Sequence, residues 1–171
     1  MTSTFREPIK VVADILAHEL PLDSAHIMLN DEKWNIPKDN TIFMVLTYLG
    51  PDKTIASSNH TDFSVNPPLE IQQTNKLLNI QVDLMSYGSD ARARKEEVEM
   101  ALASQYSKRW QEKYQLQIAK QPAPLMDVSN LEGTSMLKRF TTTISVTALF
   151  TKTKPAEYYE TFPTPEVYPN E

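Results

Sequence analysis

Three histidines are the side chains in this 171-residue sequence best suited to bind a metal or to move a proton near neutral pH. His18 and His26 lie eight positions apart, which differs from the four-position spacing of two zinc ligands on one helix. His60 is distant from both along the chain. Because the sequence has no cysteine, a metal site would need histidines and carboxylates that folding brings together. We therefore expect surface histidines, and we expect no metal or cofactor.

Asp83 lies within a predicted strand and is the carboxylate best placed to act as an acid or a base. A strand aspartate of this kind is more often solvated or paired across strands. The sequence contains no Gly-x-Ser-x-Gly motif for a serine nucleophile, and its three glycines form no phosphate-binding loop. The sequence therefore predicts that the protein is not an enzyme.

The acidic net charge argues against nucleic acid as a tightly bound partner. The formal net charge is −5, whereas proteins that hold nucleic acid through its phosphates usually carry a clustered basic surface. No apolar run approaches the roughly 20 residues of a membrane-spanning helix, and the first residues lack the apolar stretch of a signal peptide. We expect a soluble chain that is made in the cytoplasm, has no membrane partner and does not bind DNA specifically.

Three segments have the pattern of β-strands. Residues 41–49 are a nearly continuous apolar run, which predicts a strand buried on both faces and ending in a turn at Gly50-Pro51-Asp52. Residues 70–86 are a second predicted strand, in which Ile80, Val82 and Leu84 face one way and Gln81, Asp83 and Met85 the other. Residues 140–150 alternate strictly, which predicts a long strand with one face on the core. The polar residues 54–66 predict a looser strand or an extended hairpin arm.

Two segments predict helices and complete the expected fold. Residues 5–20 place Pro8 in a first helical turn and apolar residues on one face. Residues 90–113 are the second predicted helix, and either Ser89 or Asp90 is its candidate N-cap. The order of elements predicts a single α+β domain over residues 1–154, with an antiparallel or mixed β-sheet of about four strands and helices packed on one face.

Residues 155–171 form a Pro/Tyr-rich C-terminal arm, called the Pro/Tyr-rich segment below. Its four prolines disfavour regular structure, while its aromatic residues provide large contact area at low entropic cost. Three alternatives are open for this segment. It folds back on its own domain, is disordered, or docks on a neighbouring subunit.

One predicted strand and the helix after it carry a motif of spaced residues. Its positions are Gln81, Asp83, Tyr87, Gly88, Asp90, Ala91 and Leu102. A Thr-rich strand follows later in the chain, directly after Arg139-Phe140. Over residues 40–155 this arrangement resembles the neck and tail terminator proteins, also called tail-completion proteins, of long-tailed phages.

The resemblance implies a structural virion protein of the phage tail or neck. Such a protein forms a ring of about six copies that caps the tail tube, stops its polymerisation and joins the tail to the head connector. Its partners would be other copies of itself, the tail tube protein, the sheath of a contractile tail, and the head–tail connector proteins. DNA would pass through the lumen without specific binding, because an acidic lining repels it.

Other functions stay open. The chain could be a head-completion or connector adaptor, or another component of the tail tube or baseplate. From different classes, it could be a small enzyme with a site of unfamiliar pattern, or a dimeric binding module.

The candidate contact residues lie in two segments, both rich in groups suited to pairing or docking. Residues 51–66 supply Thr54, Asn59, His60, Asp62 and Phe63. The Pro/Tyr-rich segment supplies Tyr158, Tyr159, Phe162 and Tyr168.

Overall fold

The computed structural model describes residues 6–33, 35–36, 41–119, 124–132 and 135–156. Its helices are α1 (Pro8–Glu19), α2 (Asp90–Ala103) and α3 (Gln105–Lys113). Its strands are β1 (Ile27–Leu29), β2 (Phe43–Asp62), β3 (Leu69–Ser86), β4 (Leu116–Ile118), β5 (Met126–Asp127), β6 (Asn130–Glu132) and β7 (Ser135–Pro155).

The strands form a mixed sheet in the order β1-β2-β3-β7-β4, and β5 and β6 also pair with β7. β1 runs parallel to β2, and the other pairs are antiparallel. The prediction of an α+β domain with a mixed sheet is confirmed. The described sheet has more strands than the four or so predicted, because strands of two or three residues are too short to show alternation.

The core lies between the helices and one face of the sheet. The apolar face predicted for the first helix is buried at Ile9, Val12 and Leu16 of α1, and also at Leu20 directly after α1. These residues belong to one cluster with Ala91, Val98 and Leu102 of α2 and with alternate residues of β2, β3 and β7. A smaller cluster contains Met28, Phe43, Val45 and Met85.

The long strand β7 follows its predicted alternation. Phe140, Thr142, Ile144, Val146 and Ala148 are buried, while the residues between them are partly exposed. The register places Ile144 beside Ile80 of β3, so the two strands present one continuous apolar face to the helices.

The turn predicted at Gly50-Pro51-Asp52 is wrong. β2 continues through these residues to Asp62, and its pairing with β3 shifts register between Leu49 and Lys53. Gly50 has a φ of 68°, a left-handed conformation that glycine adopts without steric cost. The Gly-Pro sequence therefore marks a bulge inside a long strand, and the chain reverses at residues 63–68 instead.

The single helix predicted over residues 90–113 is interrupted at Ser104. Ser104 is extended, with φ −65° and ψ 164°, and its hydroxyl accepts a hydrogen bond of 3.0 Å from the Ser107 amide, which caps α3. The Ser107 hydroxyl in turn donates to the Leu102 carbonyl at 2.7 Å. At the start of α2, the Ser86 hydroxyl accepts from the Ala91 amide at 3.0 Å, while Ser89 makes no side-chain cap.

Candidate functional site

Three long strands extend beyond the helix-covered core as an antiparallel ribbon. This ribbon, called the β-arm, consists of residues 53–62 of β2, 69–77 of β3 and 147–155 of β7, with β3 in the middle. Nine or ten residues per strand give it a length of about 30 Å at 3.3 Å per residue. The sheet residues of the main core cluster begin at Leu78 on β3 and end at Ala148 on β7, so the β-arm contributes little to that core.

The side chains of the β-arm are open to solvent on its outer strands. Residues 51–60 of β2 and 151–155 of β7 are exposed. Ile55 on β2 is 53% exposed, and Phe63 at the tip is 75% exposed. Single exposed apolar side chains are common on protein surfaces, so Ile55 and Phe63 are available for contacts but do not by themselves form an apolar patch.

Polar contacts hold the three strands of the β-arm together. Glu70 on β3 receives an ion pair of 2.9 Å from Lys154 of β7 and hydrogen bonds of 2.9 Å from Asn59 of β2 and 2.6 Å from Gln72. The hydrogen bonds from Lys154, Gln72 and Asn59 lower the pKa of Glu70 to about 2. Nearer the core, Lys76 pairs with Asp52 at 3.3 Å. The β-arm is therefore a defined ribbon with its own cross-strand network.

Hydrogen bonds of the backbone and of side chains stabilise the tip of the β-arm. The Ser64 amide and hydroxyl donate to the Asp62 carboxylate at 2.9 and 2.6 Å, which lowers the pKa of Asp62. The Asn66–Pro67 peptide bond is cis. The Ala156 amide donates to the Pro68 carbonyl at 2.8 Å, which fastens the end of β7 to the reversing chain.

The β-arm has two outer edges of different sequence. Within the described part of the chain, β2 pairs on its outer side only with β1, at residues 44–46. The strands β4 and β5 pair with β7 no further than Ala148, and the Leu149 amide donates to the Gln115 carbonyl. Among the described residues, no strand pairs with the outer side of β2 over residues 47–62 or of β7 over residues 150–155. A sheet edge to which no further strand is paired can accept another strand through its backbone groups.

The structure places one set of predicted contact residues together. Thr54, Asn59, His60 and Asp62 lie on β2 in the β-arm, and Phe63 follows at its tip. Their role in contacts stays a prediction. Tyr158, Tyr159, Phe162 and Tyr168 lie outside the described residues. Sequence reasoning missed that β7 joins this hairpin, although the alternation of threonine and lysine over residues 151–154 continues the strand pattern.

The predicted candidates for chemistry lie apart from one another. His18 on α1 stacks on the Tyr106 ring, with 3.7 Å between ring centroids, whereas His60 lies on the β-arm. In the described ranges, no group of three or more histidine, aspartate or glutamate residues is arranged to hold a metal ion. Asp83 is buried and accepts hydrogen bonds from Arg139 and Gln81, so its carboxylate links two strands. Of the two expected states, solvated or paired across strands, the structure shows the pairing, and the Asp83 side chain is buried.

Comparisons with known proteins give no assignment. No model of a known protein family matches the sequence, and no curated protein matches it significantly. Among the described residues, no helix has the length and apolar character needed to cross a membrane.

Proposed function

We propose that the chain is a structural assembly subunit that closes into a ring through its β-arm. In this proposal the ring is a tail or neck terminator in the virion of a long-tailed phage. It caps the tail tube, stops its polymerisation and joins the tail to the head connector. The sequence motif from Gln81 to Leu102 suggests the phage context, and the β-arm supplies the means of assembly.

The observation that carries the proposal is the pair of unlike edges on the β-arm. A ring of more than two copies needs a heterologous contact, in which one surface meets a different surface of the next copy. The outer edge of β7 and the outer edge of β2 are two such surfaces. Main-chain hydrogen bonds between them would provide affinity without a deep pocket.

The strand directions set the geometry of this contact. β2 and β7 are each antiparallel to β3, so they run in the same direction along the β-arm. Rotation about an axis along the strands preserves that direction, so β7 of one copy would pair parallel with β2 of the next. A two-fold dimer would instead join like edges in antiparallel fashion. This dimer is the competing arrangement, because it would use the same outer edges.

The solvent exposure of the outer strands supports an assembled state for the β-arm. A narrow sheet without a covered face is marginally stable in water, and a free edge invites uncontrolled pairing. Neighbouring copies would add strands on both sides and shield the exposed Ile55. The tip with Phe63 then remains available for the tail tube protein, the sheath or the connector proteins. The net charge of −5 suits a channel through which DNA slides without being held.

Electron microscopy of tails assembled without the protein tests the phage function. We expect tails of uncontrolled length, because nothing ends tube polymerisation. Tails of normal length that fail to join heads would refute the terminator and favour a head-completion adaptor. Normal tails joined to heads would refute both.

A further inference from the structure

The outer edge of β7 in the β-arm presents a short set of backbone groups. Successive residues of an antiparallel strand turn their backbone N–H and C=O groups to opposite edges. The Leu149 amide points to the outer edge, because it donates to the Gln115 carbonyl at 3.1 Å. Thr151, Thr153 and Pro155 therefore also face outward, and Pro155 has no N–H to donate. Beyond Leu149, Thr151 and Thr153 are thus the outward residues of β7 that can both donate and accept.

The middle strand β3 shows which backbone groups of β2 face outward. Ile71 pairs with His60 of β2 on one side and with Thr153 of β7 on the other. Because Thr153 turns its backbone groups away from β3, Ile71 exchanges its hydrogen bonds with His60. The β2 residues on either side of His60, which are Asn59 and Thr61, therefore face the outer edge.

The same pairing sets the heights of the two edges along the β-arm. Gln73 of β3 pairs with both Ser58 and Thr151, so these two residues are level. Rotation about an axis along the strands brings Thr151 level with Ser58 of the next copy. A residue in a parallel ladder donates to the residue before its level partner and accepts from the residue after it. Thr151 would then donate to the Ser57 carbonyl and accept from the Asn59 amide.

Thr153 continues this ladder without any displacement along the axis. It would donate to the Asn59 carbonyl and accept from the Thr61 amide of the next copy. A displacement by one residue would set outward residues level with each other and break the ladder. A displacement by two residues would restore the ladder but would advance each copy by about 6.6 Å, which builds an open helix.

The charge of Lys152 disfavours a two-fold dimer through the β7 edges. Gln72 pairs with both Asn59 and Lys152, so in the parallel ladder Lys152 lies beside the neutral Asn59 of the next copy. A two-fold dimer that pairs Thr151 with Thr153 would place Lys152 directly opposite itself, with about 4.5 Å between the Cα atoms. Like charges directly opposite each other destabilise a strand pair, so β2 is the better partner for this edge.

We propose that β7 of each copy pairs with β2 of the next copy in this register, with Thr151 level with Ser58. The partner of each edge is a second copy of this chain. The proposal rests on the ring proposed above and adds its register, which keeps all copies at one height and closes the ring flat.

Disulfide cross-linking between copies tests the register, since the chain has no cysteine to interfere. The test pair is Asn59→Cys with Lys152→Cys, whose Cα atoms would be about 4.8 Å apart between copies, a distance that suits a disulfide. Within one copy, β3 separates these two positions by about 10 Å, which is too far for a disulfide. The comparison pair is Ser57→Cys with Lys152→Cys, which is displaced by two residues and would be about 8 Å apart between copies.

We expect the test pair to form covalent multimers about tenfold faster than the comparison pair, because Cα atoms more than about 7 Å apart cannot be bridged without backbone movement. Neither Asn59→Cys nor Lys152→Cys should cross-link alone. Faster cross-linking of the comparison pair would overturn the register. Covalent dimers of either single variant would also overturn it, by showing that like edges meet.

Thr153→Pro tests the ladder at a single backbone amide. Proline is tolerated on an edge strand where the N–H faces outward, so the circular dichroism spectrum should stay that of wild type while the assembly falls to a lower mass. The matched Thr153→Val keeps the amide and should keep the wild-type mass. A Thr153→Pro variant with the wild-type spectrum and mass would overturn the register alone. A wild-type chain that is monomeric in light scattering would overturn the ring together with its register.

Discussion

Replacement of Asp83 by alanine tests whether this carboxylate acts as a structural link. Asp83 has a side chain that is 5% exposed, and it accepts a 2.8 Å hydrogen bond from the Arg139 guanidinium. The Gln81 amide donates to the same carboxylate at 2.9 Å. Asp83→Ala leaves Arg139 without this counter-charge, and the Nε atom of Arg139 is already buried without a hydrogen-bond partner among the described residues.

The cost of this substitution follows from the burial of the two partners. Breaking a fully buried ion pair costs about 3–5 kcal/mol, since an unpaired charge stays in the interior. Arg139 is 36% exposed, so water can solvate part of its guanidinium and reduce the cost. We expect Asp83→Ala to lower the free energy of unfolding by about 2 kcal/mol, near the value of a charge-assisted hydrogen bond. For a chain of this size, that corresponds to a fall of about 4–8 °C in Tm.

Urea denaturation followed by circular dichroism measures the effect. The matched control is Glu97→Ala, because Glu97 also pairs with an arginine at 2.8 Å but is half-exposed on α2. We expect this control to lose less than about 0.5 kcal/mol. The double variant Asp83→Ala/Arg139→Ala should be about 1 kcal/mol more stable than the two single effects predict by addition. A loss at Asp83 no greater than the loss at Glu97 would refute the reasoning.

Two further predictions concern ionisable groups. Glu70 should titrate in an NMR pH series with a pKa of about 2 and not its usual 4.5, so its stabilising contribution is complete above about pH 4.5 and is lost as the pH falls toward 2. Lys154→Met should raise this pKa, and an unchanged value would contradict the assigned ion pair. Burial raises the pKa of Tyr48 to about 12, and its hydroxyl accepts a 3.1 Å hydrogen bond from the Ile9 amide at the start of α1. Tyr48→Phe should therefore destabilise the fold by about 1 kcal/mol in thermal denaturation at pH 8. It should also remove a loss of stability between pH 10 and 12 that wild type shows, and equal pH profiles would contradict this assignment.

The long regular elements could be predicted from the sequence because their periodicity reports their burial. The strict alternation of residues 140–150 predicted a strand that lies within β7. The apolar face of residues 5–20 predicted the side of α1 that is buried. The break at Ser104 was not predicted, because no glycine or proline marks it and serine is common in helices and caps alike.

The β-arm was only partly predictable. Residues 54–66 showed the features of an extended arm, but Gly50-Pro51-Asp52 is also the sequence of a turn. Pairing with β3 decides between these structures, and such long-range pairing overrides local preference. The outer positions of β2 and β7 in the β-arm follow from sheet order, which local sequence patterns do not contain.

The mass of the purified chain in solution tests ring assembly through the β-arm most directly. Light scattering over a range of concentrations should give about six times the 19.5 kDa of one chain for wild type. Ile55→Lys adds a charge at the edge of the β-arm and should shift the protein to the mass of a single chain. The matched Met100→Lys, at a 71% exposed position on α2, should keep the wild-type mass. A wild-type chain that stays monomeric or stops at a dimer, or an Ile55→Lys variant with unchanged assembly, would contradict the account.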